Sequence, residues 1–390
     1  VKTEIRMLEA QRDQDMIFPL SQFAFQYELS KEELEKKVKE AERHVIWGMF
    51  AAGELAAKTH LLPLSVYIHG KAFDMGGVSS VATWPEYRRN GLVKQLLKTA
   101  LDHMRQHGQT ISFLFPFSFG FYRRYGWELV FSDVECDIPI TTFKKQWGGS
   151  GYIRRIQQDD IRTLEDVYNT YAKQYTGMLK RDERWWRERI LKDNQHIAVA
   201  YDEADRAIGY VIYTVKKETF TVRDIAFTNN NARKLLYHFI SQHDSMAEKV
   251  KMTVPENDPI VLHAEDPRFE QKINPYFMAR IVDVHNFLKD YPFAPATKNV
   301  TLNVQDDFLP ENGGTFQLNP NGDHVKVTAV SAPTKEMGIT CTIQQLTMML
   351  LGFKRPGELS AAGLLEADAN PIEALEELIP RQQPYLADFF

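Results

Sequence analysis

"VSSVATWPEYRRNGLVKQLL", residues 78–97, decides how the chain is read. Val78–Thr83 has the small and β-branched character of a strand. Trp84–Gly91 is a polar, basic turn. Leu92, Val93, Leu96, Leu97, Ala100, Leu101 and Met104 fall on a 3.6-residue period and predict a helix that stops at Gly108. The first N–H groups of such a helix lack internal acceptors and lie at the positive end of its dipole. This strand–turn–helix is therefore an anion cradle suited to a pyrophosphate. Arg88 and Arg89 add charge, and Gly91 leaves no Cβ between a phosphate and the backbone. The stretch has neither the G-x-x-x-x-G-K-[ST] spacing of a nucleoside triphosphate loop nor the G-x-G-x-x-G spacing of a dinucleotide fold.

Upstream, "SKEELEKKVKEAERH" carries Ser30 and Glu33 at capping-box spacing and predicts an amphipathic helix. "HVIWGMFAAGELAAKTHLLPL" reads as two strands turning near Gly53, and the next turn falls at Gly70. Downstream, "TISFLFP" reads as a buried strand and "FSFGFYRRYGWELV" as a loop and short helix leading to a strand. "WGGSGY", residues 147–152, reads as a linker. The middle of the chain repeats the order: helices in "DDIRTLEDVYNTYAKQ" and "DERWWRERILKD", a three-stranded meander over 196–227, a helix in "NNARKLLYHFISQH", and the strand "VKMTVP". It reads as a diverged second copy of the first module. The last segment combines strands "VTLNVQ", "GTFQLN" and "HVKVTAV" with a helix in "TIQQLTMMLLG" and another after Asn370-Pro371. The expected division is 1–150, 151–283 and 284–390, an α/β (α+β) chain.

With 390 residues, the chain exceeds what one hydrophobic core organises. Its 47 basic and 52 acidic residues argue against nucleic acid or an anionic membrane as main partner. No apolar run is long enough for a membrane span, and no signal peptide is visible at the start of the sequence. Cys136 and Cys341 make no metal-ligand spacing, and so low a cysteine content suits a reducing cytoplasm. His103 and His107, at i and i+4, have no ligand partner at metal-site spacing and read as surface residues; no metal is implied.

Taken together, the "RRNGLV" turn, "FYRRYGW" about thirty residues later, the second copy, the α+β C-terminal segment and the aromatic ending "PYLADFF" resemble the enhanced intracellular survival (Eis) family of GNAT-superfamily N-acetyltransferases. The resemblance spans essentially the whole chain. It implies two tandem GNAT domains, the second without a cofactor site, then a sterol-carrier-protein-like domain. The second copy fits: "FTNNNARKL" has neither the arginines nor the glycine of the first loop. The resemblance also implies acetyl-CoA as co-substrate, a small amine substrate and a hexameric homo-oligomer.

In a GNAT reaction a neutral amine attacks a thioester, so three tasks need residues: polarising the carbonyl, protonating the departing thiolate and deprotonating the amine. The expected cofactor-binding set is Val81, Ala82, Thr83, Arg88, Arg89, Asn90, Gly91 and Leu92. Within it the Val81 N–H polarises the carbonyl and Thr83 pairs with the pantetheine arm. That requires the strand to splay from its neighbour at this point. The resemblance makes Tyr122 the general acid, with Tyr125 as the alternative one turn away. It makes the α-carboxylate of Phe390 a participant in amine deprotonation. Phe23, Phe25, Tyr27, Trp185 and Trp186 are further aromatics that could face a cation or simply pack. The rival reading is a lipid or sterol carrier whose working part is the C-terminal segment, which requires the Met348–Leu351 run to line a cavity.

Overall fold

A computed structural model describes residues 3–143, 148–158, 160–322, 324–330, 338–365 and 367–390. The first unit runs β1 (Thr3–Leu8), α1 (Gln14–Phe25), α2 (Lys31–Ala41), β2 (Val45–Ala51), β3 (Glu54–Ile68), β4 (Lys71–Thr83), α3 (Leu92–Gln106), β5 (Ile111–Leu114), α4 (Phe119–Arg123) and β6 (Glu128–Leu129). The chain continues through β7 (Ser132–Pro139), β8 (Tyr152–Ile156), α5 (Ile161–Ala172), α6 (Glu183–Trp185), β9 (His196–Tyr201), β10 (Ala207–Lys216), β11 (Thr219–Phe227), α7 (Asn230–Ser241), β12 (Lys249–Val254), α8 (Ile260–His263), β13 (Glu270–Pro275) and β14 (Met278–Ile281). It ends with α9 (Val284–Asp290), β15 (Val300–Gln305), β16 (Gly314–Asn321), β17 (His324–Val330), β18 (Ile339–Thr342), α10 (Ile343–Leu350), α11 (Pro356–Ala361) and α12 (Ala369–Leu378).

Local chemistry accounts for the elements around the site. The turn between β2 and β3 places Ala52 and Gly53 at φ 54° and 90°, and that between β3 and β4 places His69 and Gly70 at 46° and 81°. Two consecutive positive φ values mark hairpin turns whose twist matches the strands. Ser30 caps α2 with the full capping box that its spacing with Glu33 predicts. In α3 the buried residues are Leu92, Leu96, Leu97, Ala100, Leu101 and Met104, and Gly108 lies beyond its end at φ 74°.

Two seven-stranded sheets dominate the chain, ordered β1-β2-β3-β4-β5-β14-β6 and β13-β7-β12-β11-β10-β9-β8. Each has a single parallel contact at its middle, β4 with β5 and β11 with β12. The units exchange strands. β7 follows the first unit in sequence but pairs with β12 and β13 in the second sheet. β14 follows the second unit but lies between β5 and β6 in the first. Sheet membership therefore crosses the linear boundary expected near residue 150. Trp147 of the expected linker lies outside the described residues, and β8 begins directly at Tyr152.

The C-terminal segment adds a four-stranded sheet, β17-β16-β15-β18. Met349, Leu350 and Leu351 are fully buried in a core shared with Leu302, Leu346 and Leu375, and Met348 packs against it. Three of the four residues of that run are core, and Met348 also lines a cavity of about 360 Å³ whose lining is mostly charged and polar, among it Arg123, Glu128, Asp306 and Gln344. Both cysteines are free thiols, and burial pushes each up to about 12.

Candidate active site

The first unit's site is built on β4. This strand pairs antiparallel with β3 over its length, but its parallel pairing with β5 covers only Met75–Val78. Ser79–Thr83 run past that contact, so one edge of β4 opens where the sequence reading requires a splay. A register shift between Lys58 and His60 of β3 puts a bulge in the facing part of β4, with Ser80 at φ 52°. Bulges re-aim backbone groups and recur beside active sites. Lys58 fixes this one: its Nζ donates to Ser80 Oγ at 2.7 Å and to the Ser80 carbonyl at 3.2 Å. Along the open edge Val81 is half-buried, Ala82 is buried opposite Lys58, and the Thr83 hydroxyl is buried without a hydrogen-bond partner.

Beyond Thr83 the chain makes a short turn, Pro85–Tyr87, and Arg88 Nε reaches back to the Thr83 carbonyl at 3.4 Å. Arg88, Arg89, Asn90 and Gly91 are exposed, while the Leu92 side chain is buried, leaving only its backbone available. Gly91 is the N-cap of α3, at φ 72° and ψ 11°, and no side chain caps the helix. The corresponding helix of the second unit, α7, is closed by its own N-cap, since Asn229 accepts from the Ala232 N–H at 2.9 Å. One helix start thus presents bare N–H donors beside two arginines, and the other satisfies a donor internally.

Tyr122 lies on α4, which Ser118 opens by accepting from the Phe121 N–H. The ring is buried among Phe117, Phe121 and Trp127, at centroid distances of 5.5, 5.1 and 6.3 Å. Burial pushes its phenol above the usual tyrosine range, so the group stays protonated. Val81 packs against the same apolar cluster. Tyr125 joins this cluster from its rim and contacts Phe308.

The tail does not stay in its own segment. Tyr385 N–H donates to Thr176 O at 2.9 Å, and Thr176 N–H to Gln383 O at 3.0 Å. Asp388 is buried and accepts from Arg181 Nε at 3.0 Å, Trp185 Nε1 at 2.8 Å and Tyr168 Oη at 3.3 Å. Arg181 also donates to Asp224 at 2.7 Å, so one buried guanidinium holds two carboxylates. This clamp delivers Phe390 to β4. Its ring packs against Phe277 at 4.9 Å, near Trp185, and over Gly77, where an added Cβ would stand 2.7 Å from a ring carbon. Phe390 sits in a different apolar cluster from Tyr122, four residues before Val81 along the strand. Trp186 is fully buried in the second unit's core, and Trp185 is a tail contact. Phe23, Phe25 and Tyr27 are exposed; Phe23 and Tyr27 line a cleft of about 970 Å³ with Glu28 and Arg88. The sequence reading missed Lys58, Arg181 and Asp388. Of these, only Asp388 carried a signal, as a carboxylate inside an aromatic tail.

Three family models match in succession: acetyltransferase (GNAT) domains at residues 4–130 and 177–281, and a sterol carrier protein domain at 284–387. An uncharacterized N-acetyltransferase of Streptomyces griseus is 23% identical over 377 residues, 88% of each chain. N-acetyltransferase Eis of Mycobacterium tuberculosis is 22% identical over 335 residues, 80% of each chain. Among solved structures, a conserved protein of unknown function from Enterococcus faecalis, a probable N-acyltransferase, superposes with TM-score 0.92 at 26% identity over the whole of both chains. An Eis protein of Mycobacterium abscessus does so with TM-score 0.84 at 22% identity, also over the whole of both chains. The chain is thus an acyltransferase with two GNAT domains followed by a sterol-carrier-protein-like domain. Over most of its length it is similar to N-acetyltransferase Eis.

Proposed function

We propose that the first GNAT domain transfers acetyl from acetyl-CoA to a primary amine of a small cationic substrate, aminoglycoside-like or polyamine-like, or of a lysine. The observation that carries this is the open edge of β4 running directly into the uncapped, arginine-flanked start of α3. The co-substrate would supply an activated thioester and a leaving thiolate. The backbone donors around Gly91, with Arg88, Arg89 and Asn90, would hold its pyrophosphate. The free edge through Val81, Ala82 and Thr83 would pair with its arm, and the orphaned Thr83 hydroxyl fits a polar partner there. The Val81 N–H polarises the carbonyl, Tyr122 Oη donates the proton to sulfur, and the Phe390 carboxylate assists removal of a proton from the amine. Phe23, Tyr27 and Glu28 give the adjoining cleft the aromatic and anionic character that a cation requires. A cytoplasmic homo-oligomer, hexameric by resemblance, completes the proposal, and light scattering measures the assembly. Titration with acetyl-CoA, followed by thiol release across a panel of amines, tests the reaction. No binding, or release that no amine accelerates, overturns it.

Two variants probe the parts. Gly91→Glu places a carboxylate at the helix start and a Cβ on a residue with φ 72°. Acetyl-CoA affinity falls at least about 100-fold by calorimetry, the order of a lost charge-assisted anion site, whereas Asn230→Glu at the second helix leaves it unchanged. Equal affinities in the two variants would remove the loop assignment. Gly77→Ala pushes the Phe390 ring from its seat, and turnover drops about tenfold or more, as expected for a displaced reacting group, with acetyl-CoA affinity retained. An unaltered turnover number would separate the tail from the chemistry.

A further inference from the structure

One buried polar cluster, on β3 beneath the β4 bulge, touches none of the proposed reacting groups directly. Lys58 is fully buried on β3, and its Nζ meets Ser80 Oγ, the Ser80 carbonyl and His60 Nε2 at 2.7, 3.2 and 3.1 Å. His60 Nδ1 in turn faces His44 Nδ1 at 3.2 Å. None of these contacts is with a carboxylate. Burial lowers both imidazoles, His44 to about 3, so both are neutral near pH 7. The cluster's positive charge, when present, therefore resides on Lys58. A buried ammonium is costly unless its donors are satisfied, and two of its three partners here belong to Ser80.

Ser80 is the residue whose carbonyl shares a peptide bond with the Val81 N–H. In a trans peptide the carbonyl and the N–H point in opposite directions and are conjugated. A donor on the carbonyl oxygen withdraws electron density and makes the N–H at the other end a stronger donor, as in cooperative hydrogen-bond chains. With the Ser80 carbonyl directed to Lys58, the Val81 N–H points away from it.

We infer that Lys58 is a positioning residue for acetyl transfer: it holds the Ser80 bulge and, through the Ser80–Val81 peptide, strengthens the N–H that polarises the thioester carbonyl. This rests on the proposed role of Val81. It predicts that the substrate's carbonyl, and not its affinity, responds to Lys58.

The test is isotope-edited infrared spectroscopy of carbonyl-labelled acetyl-CoA bound to the full chain at pH 6.5, without amine. Burial lowers the Lys58 ammonium to about 7, and the lower pH favours its charged form. The wild type shows the carbonyl band displaced to lower frequency than in water. Lys58→Met loses most of that displacement while binding acetyl-CoA within about threefold of wild type, and kcat for thiol release falls about tenfold, less than deletion of a whole oxyanion donor. Lys58→Arg, which retains charge and donors, recovers part of the displacement. If Lys58→Met does not fold, Lys58→Gln serves: its neutral amide removes the charge, and most of the displacement is lost. A wild-type displacement fully retained in Lys58→Met, or in Lys58→Gln where that variant is used, overturns the inference. Binding with no displacement in the wild type refutes the Val81 assignment, and the inference with it. Absence of acetyl-CoA binding in the wild type refutes the functional reading itself.

Discussion

Replacing Tyr122 by phenylalanine lowers the turnover number about 10²–10⁴-fold, the usual contribution of a positioned proton donor, and leaves acetyl-CoA affinity within about twofold of wild type. The ring remains packed among Phe117, Phe121 and Trp127, so the melting temperature stays close to that of the parent. Desolvation, which keeps this phenol protonated, acts on the thiolate as well: a thiolate leaving in a dry site holds its proton more tightly than in water. Donor and acceptor thus move in the same direction, and transfer remains feasible although the phenol is a weaker acid than usual. Tyr125→Phe is the control, because Tyr125 sits on the rim of the cluster against Phe308. A large loss at Tyr125 with little at Tyr122 would place the acid one helical turn away.

Two glycines appended after Phe390 reduce turnover by about 10²-fold or more, the cost of displacing a reacting group by an ångström or so. The extension displaces the α-carboxylate and changes no side chain. Asp388 keeps its clamp on Arg181, Trp185 and Tyr168, and the ring keeps its place over Gly77. Thermal unfolding should therefore be unaltered, and that separates the carboxylate from the packing around it. A bare carboxylate near 3.5 is a poor base in water, so the role requires an apolar setting such as the Phe390 ring has against Phe277 and Trp185. Full activity in the extended chain would leave the tail as a structural pin.

The loop from Arg88 to Leu92 was legible because three local signals coincide there: a strand end, a glycine and a clean 3.6-residue stripe. The three-unit order was legible for similar reasons, since hairpin turns at Gly53 and Gly70 and the cap at Ser30 are written in adjacent residues. The illegible features all depend on distant partners. "AAKTH" alternates like any strand and gives no hint that Lys58 is buried beneath a bulge in the next one. β1 was missed because Glu4 and Arg6 are exposed on an edge strand and offer little apolar pattern. "PYLADFF" signalled a tail that must bury something. Its destination depends on Arg181 and Gly77, more than two hundred residues earlier, and on no local rule. The differing fates of the two helix starts turn on one side chain, Asn229, whose capping bond becomes visible only once α7 has a defined first residue.

The exchange of β7 and β14 also orders events during synthesis. β5, the strand beside β4, keeps one edge without its neighbour until β14 has been made, about 165 residues later. At roughly 5–20 residues per second, the nascent first unit waits some 8–30 s with an unfinished, wholly buried-type strand facing the cell. Ile111, Phe113 and Leu114 form the apolar template that chaperones, or another nascent copy of the same strand, would meet in that interval. A ribosome stalled before residue 278 would hold a first unit with its Arg88–Leu92 turn already translated and its sheet still open.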